Sequence, residues 1–229
     1  LYYSRFPSES LVKFDFAMSI GFNCQSRHHL SRILRNRFGK EGEDSRNFFD
    51  WLWRDSSVDG VVAALNNNFK LDRADFCVRV KGTPQAYNPQ YGFYFTHDFT
   101  FGKNELLWEE ELDRQWSACK QKYEYLAVKT INALRANRAT LLVLCGAMSA
   151  DEAIRLFATL EEQFGMTNIN LLHTPFSNQN QTSIIHPRVI ARPILYKDWP
   201  GDNESWDQAL TGIEILQARE TEMRSVSIT

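Results

Sequence analysis

Runs of apolar residues and stretches of helical spacing take turns along this chain, and the order in which they do so predicts an α/β protein. Residues 14–20 (FDFAMSI) form a short apolar run closed by Gly21. Residues 25–38 then carry Leu30, Ile33, Leu34 and Phe38 at helical spacing, so the segment reads as strand, tight turn, helix. A polar loop over 39–46 leads to the aromatic cluster Phe48, Phe49, Trp51 and Trp53, and residues 58–65 predict a short helix begun by Ser56 or Ser57. Residues 66–104 hold few helical signals, with alternating stretches at 76–80 and 91–95 that suit strands. From 105 to 136 the spacing of Leu112, Trp116, Cys119, Tyr123, Leu126 and Leu134 predicts one long amphipathic helix.

The last third is the most regular. Residues 140–145 (TLLVLC) predict a buried strand, and Ser149 to Glu152 form a capping box that opens a helix running to about Phe164. Gly165 ends that helix before a second strand at 169–173, giving a parallel β-α-β unit. Residues 189–195 add a strand, and 204–217 a closing helix. The expected architecture is therefore an α/β three-layer sandwich with a mainly parallel sheet, Rossmann or flavodoxin-like, with an irregular aromatic-rich insertion in its middle. No internal repeat or long linker divides residues 1–229, which read as a single domain.

Composition narrows the partners. The chain has 229 residues, 26 basic against 28 acidic side chains and a formal charge of −2, which argues against a nucleic-acid binder held by bulk charge. No apolar run approaches the roughly 18–20 residues of a membrane span. Cys24, Cys77, Cys119 and Cys145 are scattered, with no zinc-ligand spacing, so they read as reduced thiols of a cytoplasmic protein that needs no metal. The absence of an initiator Met suggests either a domain cut from a longer polypeptide, whose other domains would be partners, or trimmed disordered ends.

The sharpest local feature is Ser19-Ile-Gly-Phe-Asn-Cys-Gln25, which sets Cys24 where a strand turns into a helix. Unpaired amides and the positive end of the helix dipole favour a thiolate there. Gly21 would permit the tight turn, and the Asn23 and Gln25 amides would stabilise an oxyanion on a substrate carbonyl. The opposing reading makes Cys24 a small buried hydrophobe and Asn23 the helix cap. A thiol nucleophile needs a base. His28 and His29 lie on the same helix, so their side chains run along it. His97, in YFTHDF, is the better candidate because it comes from a separate element, and His173 and His186 are weaker rivals. For the group that orients the imidazole, Asp98 is adjacent to His97 and points the other way on a strand, while Asp50 is an acid among aromatics. Arg27 and Arg32, with His28, His29, Arg35, Arg37 and Lys40, form a cationic helix face that would either hold a cofactor phosphate or be solvated. Trp51 and Phe99, in the segments 48–53 and 91–101, would wall the site and bind substrate.

Taken in order, SIGFNCQ, NFFDW, FTHDF and WPGDNESWDQAL resemble a bacterial domain family of unknown function labelled papain-like cysteine peptidase, over roughly residues 15–215. That resemblance implies Cys24 as nucleophile and His97 as its base, with Asp50 and Asp98 as acidic positions and a peptide, acyl or glycan substrate. Gly-x-Asn-Cys-Gln at 21–25 is also similar to capsular-polysaccharide acetyltransferases of the WcbI type, which would make coenzyme A the cofactor and a sugar the acceptor. Residues 140–195 read as parallel β-α-β, closer to a flavodoxin-like or esterase-like sandwich than to the antiparallel sheet that ends papain-like domains. The expectation is Cys-dependent acyl transfer by a hydrolase or transferase, needing no cofactor unless it is the acetyltransferase. The alternatives are a glycan-modifying enzyme of surface-polysaccharide biosynthesis in which Cys24 is structural, and a non-catalytic interaction domain.

Overall fold

The computed structural model describes residues 11–21, 23–39, 46–55, 58–176, 186–195, 197 and 201–216. Its central sheet has four parallel strands, β2 (Phe16–Ser19), β7 (Thr140–Cys145), β8 (Ile169–Thr174) and β9 (Val189–Ala191), in that spatial order. Successive side chains of a strand point to opposite faces. Ala17, Leu141, Val143, Cys145 and Leu172 accordingly pack with Leu30 and Leu34 of α1 (Cys24–Phe38) and Trp206 of α5 (Asn203–Ala209). Met18, Leu142, Leu144 and Leu171 join a separate apolar cluster with Leu65 of α2 (Asp59–Asn66), Leu112 and Tyr123 of α3 (Trp108–Arg135), and Leu156 and Leu160 of α4 (Ala150–Phe164). The β7-α4-β8 unit is as expected: Ser149 and Glu152 close a capping box, and Gly165 stops the helix in the left-handed conformation at φ +66°.

Three expectations are corrected. The strand foreseen over 14–20 is broken at Asp15, whose carboxylate accepts from the Ala139 amide while its own amide donates to the Ala139 carbonyl. The part before the break, β1 (Val12–Phe14), leaves the central sheet and pairs in parallel with β10 (Ile213–Ile215). The closing helix foreseen over 204–217 therefore stops at Ala209: Thr211 and Gly212 turn the chain, with Gly212 at φ +76°, and Ile213 continues as strand. Ser56, Ser57, Lys40 and Gln217 lie outside the described residues.

The supposedly irregular middle is a second, antiparallel sheet. It contains β3 (Trp53–Arg54), β4 (Cys77–Lys81), β5 (Thr83–Asn88) and β6 (Phe93–Tyr94) in the order β3-β6-β5-β4. Gly82, at φ +77°, closes the β4–β5 hairpin, and Phe93 together with Phe95 just past β6 packs with Phe48 and Phe49 in the larger core. The protein is thus mixed α/β with parallel sheets, and the aromatic excess of the sequence seals one sheet against the other. Among the described residues no helix is long and apolar enough to cross a membrane.

Candidate active site

Cys24 is the first residue of α1, at the carboxyl end of the edge strand β2, and is 2% exposed. The chain reaches it through Gly21. A Cβ on Gly21 would stand 1.8 Å from Ser26 Oγ, which is hydrogen-bonded to Ser19 Oγ at 2.8 Å. Glycine permits the turn by close approach, its φ lying outside the left-handed range.

His97 arrives from the turn between the buried Phe95 and Phe99. Thr96 Oγ1 donates to Gln85 Oε1, and the Asp98 carboxylate accepts from Tyr123 Oη at 2.8 Å and pairs with Lys122, so both neighbours of His97 are tied down, one to β5 and one to α3. His97 itself is exposed and its Nε2 lies 3.4 Å from Cys24 Sγ. The same sulfur accepts from Trp53 Nε1 at 2.8 Å. Indole N–H only donates, so the sulfur is the acceptor in that bond and the thiol proton is left to point at His97. In the His97 tautomer protonated at Nδ1, Nε2 is the acceptor for that proton.

The turn before Trp53 is built around Asp50. Its carboxylate takes the Asn47 amide at 2.9 Å and the Asn47 side-chain nitrogen at 3.0 Å, and pairs with the buried Arg27 of α1 at 3.3 Å. Burial raises the Asp50 acid to about 6 even though Arg27 and Asn47 favour its charged form. Trp51 then adopts φ +66°, a region costly for a bulky side chain by about 1–3 kcal/mol, and sets its ring edge-on to His97 with centroids 5.8 Å apart. The strain is held by the Asn47–Asp50–Arg27 network on one side and the β3–β6 pairing on the other.

Burial also overturns the expected thiolate. Loss of solvent pushes the Cys24 thiol up to about 11, with a smaller push from the Asp50 charge, against the lowering effect of the Trp53 bond and its own backbone amide. At rest Cys24 is a thiol.

The remaining site candidates are placed as follows. Asp50 and Asp98 do not orient His97: the first serves Arg27 and Asn47, the second Lys122 and Tyr123. Asn23 is the helix cap, its side-chain oxygen accepting from the Gln25 backbone amide at 3.0 Å. The buried Gln25 side chain accepts from Cys145 Sγ at 3.8 Å. Phe99 belongs to the core, 6.5 Å from Phe76 between ring centroids. Arg27 is internal rather than part of a cationic surface, and Arg32 is held by Asp207 of α5. The other histidines are engaged elsewhere: His29 stacks on Trp206, His173 bonds the Gly146 carbonyl at 2.8 Å, and His186 stacks on Phe157. A cavity of about 250 Å³ lined by Phe16, Asn47, Tyr125, Lys129 and Arg138 lies away from Cys24 and His97. Among the described residues no group of His, Cys, Asp or Glu side chains could hold a metal ion.

Sequence reasoning placed Trp53 in an aromatic wall and missed its contact with the sulfur. The signal available was its single polar atom: an indole N–H seeks an acceptor when buried. No protein-family model matches the chain, and neither does any curated protein or solved structure.

Proposed function

We propose that the protein is a cysteine-dependent acyl-transfer enzyme in which Cys24 is the nucleophile and His97 the general base. The observation that carries this reading is the 3.4 Å approach of Cys24 Sγ to His97 Nε2, made by residues 73 apart in sequence. As the sulfur attacks a substrate carbonyl carbon, the S–H proton passes to His97 Nε2 and the C=O pair becomes an oxyanion. Collapse expels the leaving group, which takes the proton back from His97, and leaves a thioester on Cys24. Water or a hydroxyl then attacks, giving its proton to His97, and the thiol re-forms as the product departs. The Trp53 N–H strengthens its hold on sulfur as negative charge develops there, since bonds to charged acceptors are the stronger ones. Thiol, imidazole and indole supply each proton and charge in this cycle, so it requires no cofactor.

The closing of the two apolar clusters over opposite faces of the parallel sheet supports the three-layer reading of the architecture. That reading sets Cys24 at the carboxyl end of a parallel strand, where open α/β sheets take their ligands. The resemblance to cysteine peptidase-like domains implies the same pair of residues. Peptide, acyl and glycan esters are the substrate classes this chemistry serves.

The test uses an activated ester, p-nitrophenyl acetate. The wild-type chain is expected to release a burst of nitrophenolate and to carry one acetyl group on Cys24, while Cys24→Ala shows neither. Equal nitrophenolate release from both chains, with no acetyl on Cys24, would overturn the assignment.

A further inference from the structure

The cavity of about 250 Å³ beside the edge strand β2 serves neither Cys24 nor His97. Three separate pieces of chain build it: β2, the C-terminal part of α3 with Arg138 beyond it, and the residues that enter the Asn47–Asp50 turn. Phe16, Met18 and Ala133 make its apolar lining, and it opens to solvent where Tyr125 and Val128 are exposed. The buried Asn47 and Thr130 line its inner side. Asn47 holds Asp50, and Thr130 Oγ1 accepts from the Phe48 amide at 2.9 Å, so this inner side is the back of the turn that carries Trp51.

The charged part of the lining has one sign. Arg46, Lys129 and Arg138 line the cavity, and none of the described residues around it is acidic. Lys129 has a contact of its own and is left out of the count. Arg138 lies over the Phe16 ring, its guanidinium carbon 5.2 Å from the ring centroid, and its Nε is buried with no hydrogen-bond acceptor. A buried donor of a charged group left without an acceptor is costly, and an anion in the cavity would satisfy it. The acids of the neighbouring segments are spent elsewhere. Asp15 takes the Ala139 amide at 3.1 Å and forms no ion pair with Arg138, and Asp50, whose charge reaches Arg46, is paired with Arg27. With Arg27 set against Asp50, and Asp15 set against Arg46 and Arg138 together, one positive charge is left in excess.

We propose that this cavity binds an amphiphilic monocarboxylate, its hydrocarbon body on Phe16, Met18 and Ala133 and its carboxylate on the guanidinium groups of Arg138 and Arg46. The apolar lining selects the hydrocarbon, because burying it against these side chains removes apolar surface from water on both partners. The single excess charge selects one carboxylate, whose two oxygens a guanidinium fork takes in plane. A medium-chain fatty acid has this chemistry. The site is accessory to the thiol: Cys24 does not line it, and an occupant bears on the Trp51 turn from behind through Asn47 and Thr130. The assignment stands whether or not Cys24 is a nucleophile.

The experiment follows thermal unfolding of the full chain at pH 7 in sodium octanoate below its micelle concentration. Octan-1-ol, which lacks the charge, and sodium acetate, which lacks the hydrocarbon, are compared at equal ionic strength. Octanoate is expected to raise Tm by about 3–5 °C for each tenfold increase above its Kd, with little or no rise in the other two. Arg138→Met removes the orphaned donor and is expected to raise the octanoate Kd by about 10–100-fold. Should R138M not fold, Arg46→Gln decides; it changes an exposed residue and is expected to raise that Kd by about 2–5-fold. A rise in octanol or acetate equal to that in octanoate, or an octanoate Kd unmoved by these exchanges, would overturn the proposal. A chain that sediments as a dimer which octanoate splits would give the cavity to a second copy and overturn it as well.

Discussion

Replacing His97 by Gln is expected to slow acetylation of Cys24 at pH 7 by about 10²–10⁴-fold while leaving the fold intact. The size follows from the state of the sulfur. With the thiol raised to about 11, only on the order of 10⁻⁴ of Cys24 is thiolate at pH 7, so without a base nearly all of the protein is unreactive at any instant. His97 removes the proton during attack and bypasses that equilibrium. In H97Q the rate should instead climb about tenfold per pH unit towards pH 11, because hydroxide must now ionise the sulfur. His97 is exposed and its backbone is held by Thr96 and Asp98, so the exchange should not disturb stability. Stopped-flow rates across pH check both statements. A variant as fast as wild type at pH 7 would remove His97 from the mechanism.

Asp50→Ala is expected to destabilise the protein by about 3–5 kcal/mol, the largest single-residue effect on stability foreseen here. Arg27 would be left buried with no countercharge, and both Asn47 bonds to the carboxylate would be lost. The Asn47–Asp50 turn carries the strained Trp51, so relaxing it should also let His97 and Trp53 drift from the sulfur. Asp50→Asn retains part of the hydrogen bonding and removes the titration, which isolates the pH effect. In the folded state the acid is raised from 3.8 to about 6. The folded chain therefore holds that proton more tightly than the unfolded chain does. The stability linked to it is fully present below about pH 4 and lost as pH rises to about 6. Wild type should lose stability relative to D50N across that window and run parallel to it above. Urea unfolding at a series of pH values checks the sign, and a difference independent of pH would contradict the buried ionisation.

The sequence was most informative where one pattern sufficed. TLLVLC can only be a strand buried on both faces, and the Ser149–Glu152 box with Gly165 fixes both ends of α4 by local hydrogen bonding. The second sheet was hidden because β5, TPQAYN, carries Pro, Gln and Asn and has little of the β-branched signal; its strand character comes from pairing with β4 and β6. The split at Asp15 depends on Ala139, and β10 on β1, both partners more than a hundred residues away. Within the site, the helix start at Cys24 and its Asn23 cap were readable locally. The thiol's elevated ionisation was not, because burial depends on what Trp53 and the aromatic segments do in three dimensions. Asp50 was recognisable as an acid among aromatics, whereas Arg27 read as part of a cationic surface; the partners of Asp50, Arg27 and Asp98, and so their structural roles, were set by packing.

The claim that Cys24 is set apart from the other cysteines by His97 is tested most directly by mapping iodoacetamide labelling over time at pH 7. Cys119 and Cys145 are buried thiols raised by desolvation, and among the described residues no imidazole hydrogen-bonds to either sulfur. The account predicts that Cys24 is alkylated well ahead of both in the wild-type chain, and that this lead disappears in H97Q. Labelling of Cys24 at the same slow rate as Cys119 and Cys145, unchanged by H97Q, would contradict it.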